Sequence, residues 1–184
     1  IDKRSNESSH LQSDLQYYKS FMEWGMDGEA NAFLEEVLLW LSENLPLNPN
    51  PKKLCWGDSR IGNVLFENFQ VKSLLDWEMA TIGDPLCDLA WGLTTDDVSS
   101  YGLNIEKLPG SIANEEAIEF WEKNTGYSAD NFFYYRILCL FKFSVIMIRV
   151  AKKLIHNEIM PLDSDFHVNN HVSNYLRQEF NEKN

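Results

Sequence analysis

The residues best suited to chemistry fall in one stretch, Cys55-Trp56-Gly57-Asp58-Ser59-Arg60-Ile61-Gly62-Asn63, followed after a short apolar segment by Leu75-Asp76-Trp77-Glu78. An aspartate, an asparagine five positions on and a second aspartate are the parts that phosphoryl transfer needs. That reaction asks little covalent work of a protein, so positioning and electrostatic stabilisation dominate. One carboxylate must take or orient the proton of an acceptor hydroxyl. A metal must neutralise the phosphate oxygens, and Mg2+ prefers a few oxygen ligands completed by waters and substrate phosphates. Arg60, two positions after Asp58, is placed to offer positive charge to a transferring phosphate, with a surface salt bridge as the alternative. Taken singly, Asp58 reads equally well as a turn aspartate and Asn63 as a loop residue. Asp76 is harder to dismiss, because an unpaired carboxylate at the end of an apolar strand is costly unless something uses it.

These side chains need a scaffold that turns Asp58 and Asn63 toward one point and then returns Asp76 beside them. Val64-Leu65-Phe66 and Val71 to Leu75 are short apolar runs around Glu67-Asn68-Phe69-Gln70, which predicts a β-hairpin. Asp84-Pro85 predicts a helix start, with Asp as N-cap and Pro at the first helical position. Helices are predicted on both sides. Leu11, Leu15, Tyr18 and Met22 share a face over 11–24, and Ala30, Phe33, Leu34, Val37, Leu38 and Leu41 recur at three- and four-residue steps. Pro46, Pro49 and Pro51 end that second helix. Later helices are expected over 115–124, closed by Gly126, over 131–157 and over 168–180, with the last ten polar residues frayed. The fold class expected is α+β, mostly helical, with a small β island.

Composition narrows the partners. A chain of 184 residues has room for one domain with a real core. Its net charge of −12, from 16 basic and 28 acidic residues, leaves no basic stripe to neutralise phosphates, so a nucleic-acid partner is not expected. Cys55, Cys87 and Cys139 are odd in number and widely spaced, which argues against a disulfide framework or zinc site and for a reducing, cytoplasmic home. The most apolar region, 132–155, is broken by Arg136, Lys142 and Arg149, short of the roughly 20 residues a membrane span needs. His167 and His171, four apart, lack a third ligand at helical spacing and read as a polar helix face.

The Asp58-to-Asn63 spacing resembles the protein-kinase catalytic loop His-Arg-Asp-x-x-x-x-Asn, and Asp76 falls where the kinase Asp-Phe-Gly aspartate would. The local sequence is more similar to the aminoglycoside phosphotransferase family, with its His-Gly-Asp-x-x-x-x-Asn, its strand ending in Asp-Trp and its Gly-Asp-Pro-x-x-Asp-Leu-Ala, here Gly83-Asp84-Pro85-Leu86-Cys87-Asp88-Leu89-Ala90-Trp91. The blocks occupy 55–91 in the family's order. Asp-Trp-Glu with Gly-Asp-Pro most resembles the branch associated with acyl-CoA dehydrogenases, for which hydroxyacyl-CoA acceptors are one option. The resemblance implies that residues 1–184 form the C-terminal lobe of a kinase-like phosphotransferase that uses ATP and Mg2+ on a small-molecule hydroxyl acceptor. By position it makes Asp58 the catalytic base, and Asn63 and Asp76 the nucleotide-metal ligands; Arg60 stays a catalytic candidate from its place in the loop alone. Asp88 would hydrogen-bond the loop's backbone, and helices over 114–155 would build the acceptor pocket. Two positions depart from the pattern: Trp56 stands for the usual His, and Glu78 stands where protein kinases carry Gly.

The resemblance also implies an N-terminal lobe with a glycine-rich loop and a phosphate-binding lysine. No Gly-x-Gly-x-x-Gly occurs, so either the sequence is truncated or the missing N-terminal lobe lies on another chain; the start on Ile1 favours truncation, and the fragment is expected to be inactive alone. Two other readings remain open. Gly57-Asp58-Ser59 resembles the opening block of the Gly-Asp-Ser-Leu esterases, with Ser59 as nucleophile, although Asp163 and Asp165 miss that family's Asp-x-x-His spacing to His167. A kinase-like binding module without turnover is the third.

Overall fold

The structure, a computed structural model, describes residues 7–183. Along the chain come α1 (Glu7–Met26), α2 (Ala32–Glu43), β1 (Lys53–Cys55), β2 (Val64–Glu67), β3 (Gln70–Leu74), β4 (Thr81–Gly83), α3 (Leu86–Ser100), α4 (Asn114–Thr125), α5 (Phe132–His156) and α6 (His171–Lys183). The mostly helical α+β class is the one the sequence patterns imply. The chain forms two compact units: Pro46–Arg136 is one, and the segment up to Leu45 with that from Ile137 onward is the other, so α5 runs through both.

In the helical unit, three- and four-residue spacing decides what is buried. Leu15, Tyr18, Met22 and Met26 are the buried face of α1, and Leu34, Val37 and Leu41 that of α2. Asn31 caps α2 by accepting the Leu34 N–H at 3.1 Å. Phe180 of α6 meets Phe33 and Trp40 edge-on, with centroids 6.1 and 5.8 Å apart. Gly25 lets α1 approach α5, where an added Cβ would lie 3.2 Å from Ile148. The sixth helix departs from expectation at both ends. It starts at His171 rather than 168, because Asn170 Oδ1 accepts the Val172 and Ser173 N–H groups at 3.0 and 3.1 Å. It then runs to Lys183, since buried Tyr175, Leu176 and Phe180 hold its otherwise polar end.

The unit that carries the motifs is built on two antiparallel pairs. β1 pairs with β4, Cys55 opposite Thr81, and so brings the residues after Cys55 beside the start of α3. The β2–β3 hairpin closes on Asn68 and Phe69, both at positive φ (51° and 60°), the signature of a two-residue type I′ turn. Helix α3 starts at Leu86, one residue later than the cap pattern predicts, with Pro85 at the N-cap position. Asp84 still serves that end, because its Oδ1 accepts the Leu86 N–H at 2.9 Å. The same buried carboxylate accepts Asn50 N, Asn50 Nδ2 and the Tyr135 hydroxyl at 2.9, 3.1 and 3.2 Å, pinning the proline loop and the start of α5. Burial pushes the Tyr135 phenol well above its ordinary range.

The far end of α3 is anchored by buried Asp97, which receives Arg136 Nη1, Asn114 Nδ2 and Lys107 Nζ, each at 2.7 Å. Burial pushes its carboxyl up, but the hydrogen bonds from Lys107, Arg136 and Asn114 outweigh that and hold it below the usual range. One helix is thus fixed to the first turns of α4 and α5. The hairpin, by contrast, is exposed along both strands, with Leu65, Phe66 and Val71 about half open to solvent. Phe69 is fully exposed in a left-handed conformation that disfavours side chains, so Phe69→Gly loses no packing. It should raise the stability of this chain by roughly 0.5 kcal/mol, read as a higher urea midpoint. A lower midpoint would mean that the ring has a partner.

Candidate active site

Trp56 to Asn63 leaves β1, crosses a short loop and enters β2 through a single 3-10 turn, Ile61–Asn63. The loop is held from α3. Asp88, in the first turn of that helix, accepts Trp56 N–H on Oδ2 at 2.7 Å and Gly57 N–H on Oδ1 at 2.8 Å. Its main-chain oxygen accepts the Ser59 hydroxyl at 2.6 Å. The backbone-holding role that the family resemblance implies for Asp88 is therefore the geometry found. One turn on, Gly92 gives the loop room, since a Cβ there would lie 2.8 Å from the Ser59 carbonyl oxygen. Gly57 has φ +92°, and a Cβ on it would meet the Met79 carbonyl oxygen at 2.3 Å. The loop is clamped between α3 and the main chain that follows Asp76.

That clamp fixes Asp58. Its Oδ2 accepts Asn63 Nδ2 at 2.7 Å and Arg60 Nε at 3.1 Å, and its Oδ1 accepts Trp91 Nε1 at 2.7 Å. Asn63, buried, also donates Nδ2 to the Asp58 main-chain oxygen at 3.1 Å. The Asp58–Asn63 convergence read from their spacing is thus a direct side-chain bond. Arg60 forms the ion pair that was its alternative reading, with Asp58 itself as the partner, while its side chain stays 52% exposed. An exposed pair of this kind adds little stability, and the outer guanidinium nitrogens remain open to an anion.

Asp76 reaches the same place by register. Val64 faces Leu74 across the hairpin, and the Leu75 N–H donates to the Asn63 carbonyl at 2.8 Å, so the next residue, Asp76, leaves the strand beside Asn63. Two indoles secure the exit: Trp56 Nε1 donates to the Leu75 carbonyl at 2.7 Å and Trp77 Nε1 to that of Leu74 at 2.9 Å, with the rings 6.0 Å apart. Trp56 therefore braces the loop that the usual His would support. The sequence argument from burial does not hold for Asp76, which is exposed on a hairpin bare on both faces. A different feature marks it. Asp76 has φ +59°, a left-handed conformation that non-glycine residues adopt at a cost of roughly 1–3 kcal/mol and that concentrates at functional positions. Among the described residues its carboxylate has no hydrogen-bond or ion-pair partner.

A hard divalent cation fits this donor set. Asn63 gives its amide hydrogens to Asp58, which leaves its Oδ1 as a lone-pair donor next to an unpartnered carboxylate. Two protein oxygens are what Mg2+ takes when substrate phosphates and waters complete its shell. Among the described residues no cluster of three or more His, Cys, Asp or Glu side chains is assembled. Ser59 does not have the geometry of a nucleophile, because its hydroxyl proton points at the Asp88 carbonyl in a bond that fastens the loop. Among the described residues no helix is long and apolar enough to cross a membrane.

Fold and loop together define a kinase-like phosphotransferase lobe, and the chain belongs to the phosphotransferase enzyme family, whose model matches residues 4–121. Among curated proteins it is similar to acyl-CoA dehydrogenase family member 11 of Gallus gallus, 33% identical over 138 residues that are 67% of this chain and 18% of that protein. The Pongo abelii protein of the same name is 32% identical over 124 residues, 61% of this chain and 16% of the relative. The mouse family member 10 is 30% identical over 131 residues, 65% and 12%. The chain thus spans under a fifth of the length of the relatives it matches. A crystal structure from Ralstonia eutropha, provisionally named an aminoglycoside phosphotransferase, has the same fold, with a TM-score of 0.72 at 16% identity over 97% of this chain and 55% of that one.

Proposed function

We propose that the protein transfers the γ-phosphoryl group of ATP to a hydroxyl of a small molecule, with Mg2+ as its metal. One observation carries the reading: Asp58 and Asn63 share a 2.7 Å hydrogen bond, and the hairpin register sets Asp76 beside them. Asp58 accepts the proton of the acceptor hydroxyl. Asn63 Oδ1 and the Asp76 carboxylate hold the metal. A Mg2+ held by these two groups would supply the positive charge that the phosphate oxygens need. The exposed guanidinium of Arg60, tethered to Asp58, turns its remaining N–H groups to the phosphate. Among acceptor classes a hydroxyacyl thioester is favoured, because the relatives' names tie them to acyl-CoA chemistry.

The test is transfer of label from γ-labelled ATP, by the intact protein, to hydroxyacyl thioesters, choline and aminoglycosides. Label in the thioester is the expected result. Label in another alcohol would move the acceptor class, and nucleotide binding without transfer to any alcohol would leave a binding module. The metal assignment has its own readout. Asp76→Ala and Asn63→Ala should each raise the Mg2+ concentration for half-maximal rate, by roughly tenfold or more for Asp76, which loses a full charge, and by less for Asn63. An unchanged Mg2+ titration in both variants would remove them from the metal site.

A further inference from the structure

Of the bonds that meet at Asp58, the one from Trp91 lies outside every motif role described so far, and among the described residues it alone reaches Oδ1. A carboxylate oxygen has two in-plane lone-pair sites. Both sites on Oδ2 are engaged, by Asn63 Nδ2 at 2.7 Å and Arg60 Nε at 3.1 Å. On Oδ1 the Trp91 indole takes one site at 2.7 Å and leaves the other. The Asp58 side chain is only 13% exposed, and Trp91 is buried at 5%. With the phosphotransfer proposed above as its basis, we propose that Trp91 is a positioning residue that orients the Asp58 carboxylate so that Oδ1 is the atom that receives the acceptor's proton.

The step then has one geometry. The O–H bond of the acceptor breaks and its proton goes to the open site on Asp58 Oδ1. The acceptor oxygen forms its bond to the γ-phosphorus, and the bond from that phosphorus to the nucleoside diphosphate oxygen breaks, its electron pair leaving with the diphosphate. Indole suits the positioning role better than a flexible donor. It carries a single N–H on a rigid plane and has no proton to exchange with the base near neutral pH. Trp91 also follows Asp88 by three residues, so both project from the same face of α3, and the helix that holds the loop's backbone also aims its carboxylate. Buried Asp97 anchors the far end of that helix, which keeps the indole from drifting with the loop. Rotation of the carboxylate would move the open site away from the acceptor, and misplacement of this size costs on the order of a hundredfold in rate.

The decisive substitution replaces the Trp91 indole with its sulfur isostere, benzothienylalanine, which keeps shape and burial and lacks the N–H donor. Trp91→Phe is the coded companion. In the intact protein the isostere should lower kcat by about 10- to 100-fold, with the nucleotide KM within about twofold of the parent and a cooperative melting transition kept, its midpoint lowered only by the loss of one hydrogen bond. An isostere with parental kcat overturns the inference, as does a kcat loss matched by a lost melting transition, which would make Trp91 a packing residue. A second readout needs no turnover. The indole N–H resonance of Trp91 should lie downfield in the parent and move upfield in Asp58→Ala, which leaves no side-chain acceptor at 58, and a resonance that stays in place overturns the bond itself. A parent inactive on every alcohol, its Trp91 resonance still answering to Asp58, would sink the phosphotransfer reading and the positioning role with it, leaving only the bond. An active parent with an indifferent isostere would sink this inference alone.

Discussion

In the intact protein, Asp58→Asn should lower turnover by on the order of 10²- to 10⁴-fold while the nucleotide KM stays close to that of the parent. The substitution keeps the side chain's size and replaces a carboxylate by an amide, whose oxygen toward Trp91 is too weakly basic to take the proton. An amide at 58 can still accept Trp91 Nε1 on its oxygen, but its NH2 then faces Asn63 Nδ2, which now donates to Oδ2 at 2.7 Å. Two donors facing each other cost roughly 1–3 kcal/mol, so a modest fall in melting temperature accompanies the loss of rate. Under the proposed roles nucleotide binding is spared, because Asn63 and Asp76 are the groups assigned to the metal and neither is replaced. Ser59→Ala is the matching control. It removes the 2.6 Å bond to the Asp88 carbonyl, worth roughly 1 kcal/mol, and should leave most of the activity. Parental turnover in Asp58→Asn would refute the base assignment. A dead Ser59→Ala beside an active Asp58→Asn would point to a serine nucleophile instead.

Much of the site was legible because it is local in sequence. Asp58 and Asn63 are five residues apart in one loop, and the hairpin that returns Asp76 has its apolar runs and its Asn68 turn within residues 64–75. The brace at Asp88 was legible only through the family's Gly-Asp-Pro-x-x-Asp block, because nothing at 88 itself announces bonds to the backbone at 56 and 57. Trp91 stood in the same block without a role. Its bond depends on the phase of α3 against the loop, a tertiary fact, although the three-residue step from Asp88 was a usable sign. The exposure of Asp76 was misread because apolar residues in a short strand suggest burial, whereas both faces of this hairpin are open. Among the helices, the face pattern set positions well and the ends poorly. Asn170 moved one start by three residues, and Tyr175, Leu176 and Phe180 kept a polar tail helical. The division into two units, with α5 running through both, has no local signature at all.

Gly57→Ala should abolish measurable transfer and lower stability by roughly 2–4 kcal/mol, a melting temperature lower by roughly 5–15 °C in a chain of this size. Two independent costs meet at this residue. Its φ of +92° lies where a Cβ is disfavoured, and that Cβ would sit 2.3 Å from the Met79 carbonyl oxygen, 2.6 Å from its carbon and 2.7 Å from its Cβ. The obstacle is mostly backbone, so no rotamer change relieves it. If the loop moves instead, it gives up the Gly57 N–H bond to Asp88 and shifts Asp58, the next residue, away from Asn63 and Trp91. If the Met79 segment moves, it draws on the turn in which Ala80 N–H donates to the Trp77 carbonyl, and so on the exit of Asp76. Either relief misplaces half of the site. Gly28 separates the two costs, because it has nearly the same φ, +90°, with nothing within 4 Å of an added Cβ. Gly28→Ala should therefore lose only the conformational part, roughly 1 kcal/mol, and keep its turnover. Equal stability losses in the two variants would show that Met79 presents no obstacle, and a Gly57→Ala protein that melts and turns over like the parent would overturn the clamped-loop geometry on which the roles of Asp58 and Asp76 both depend.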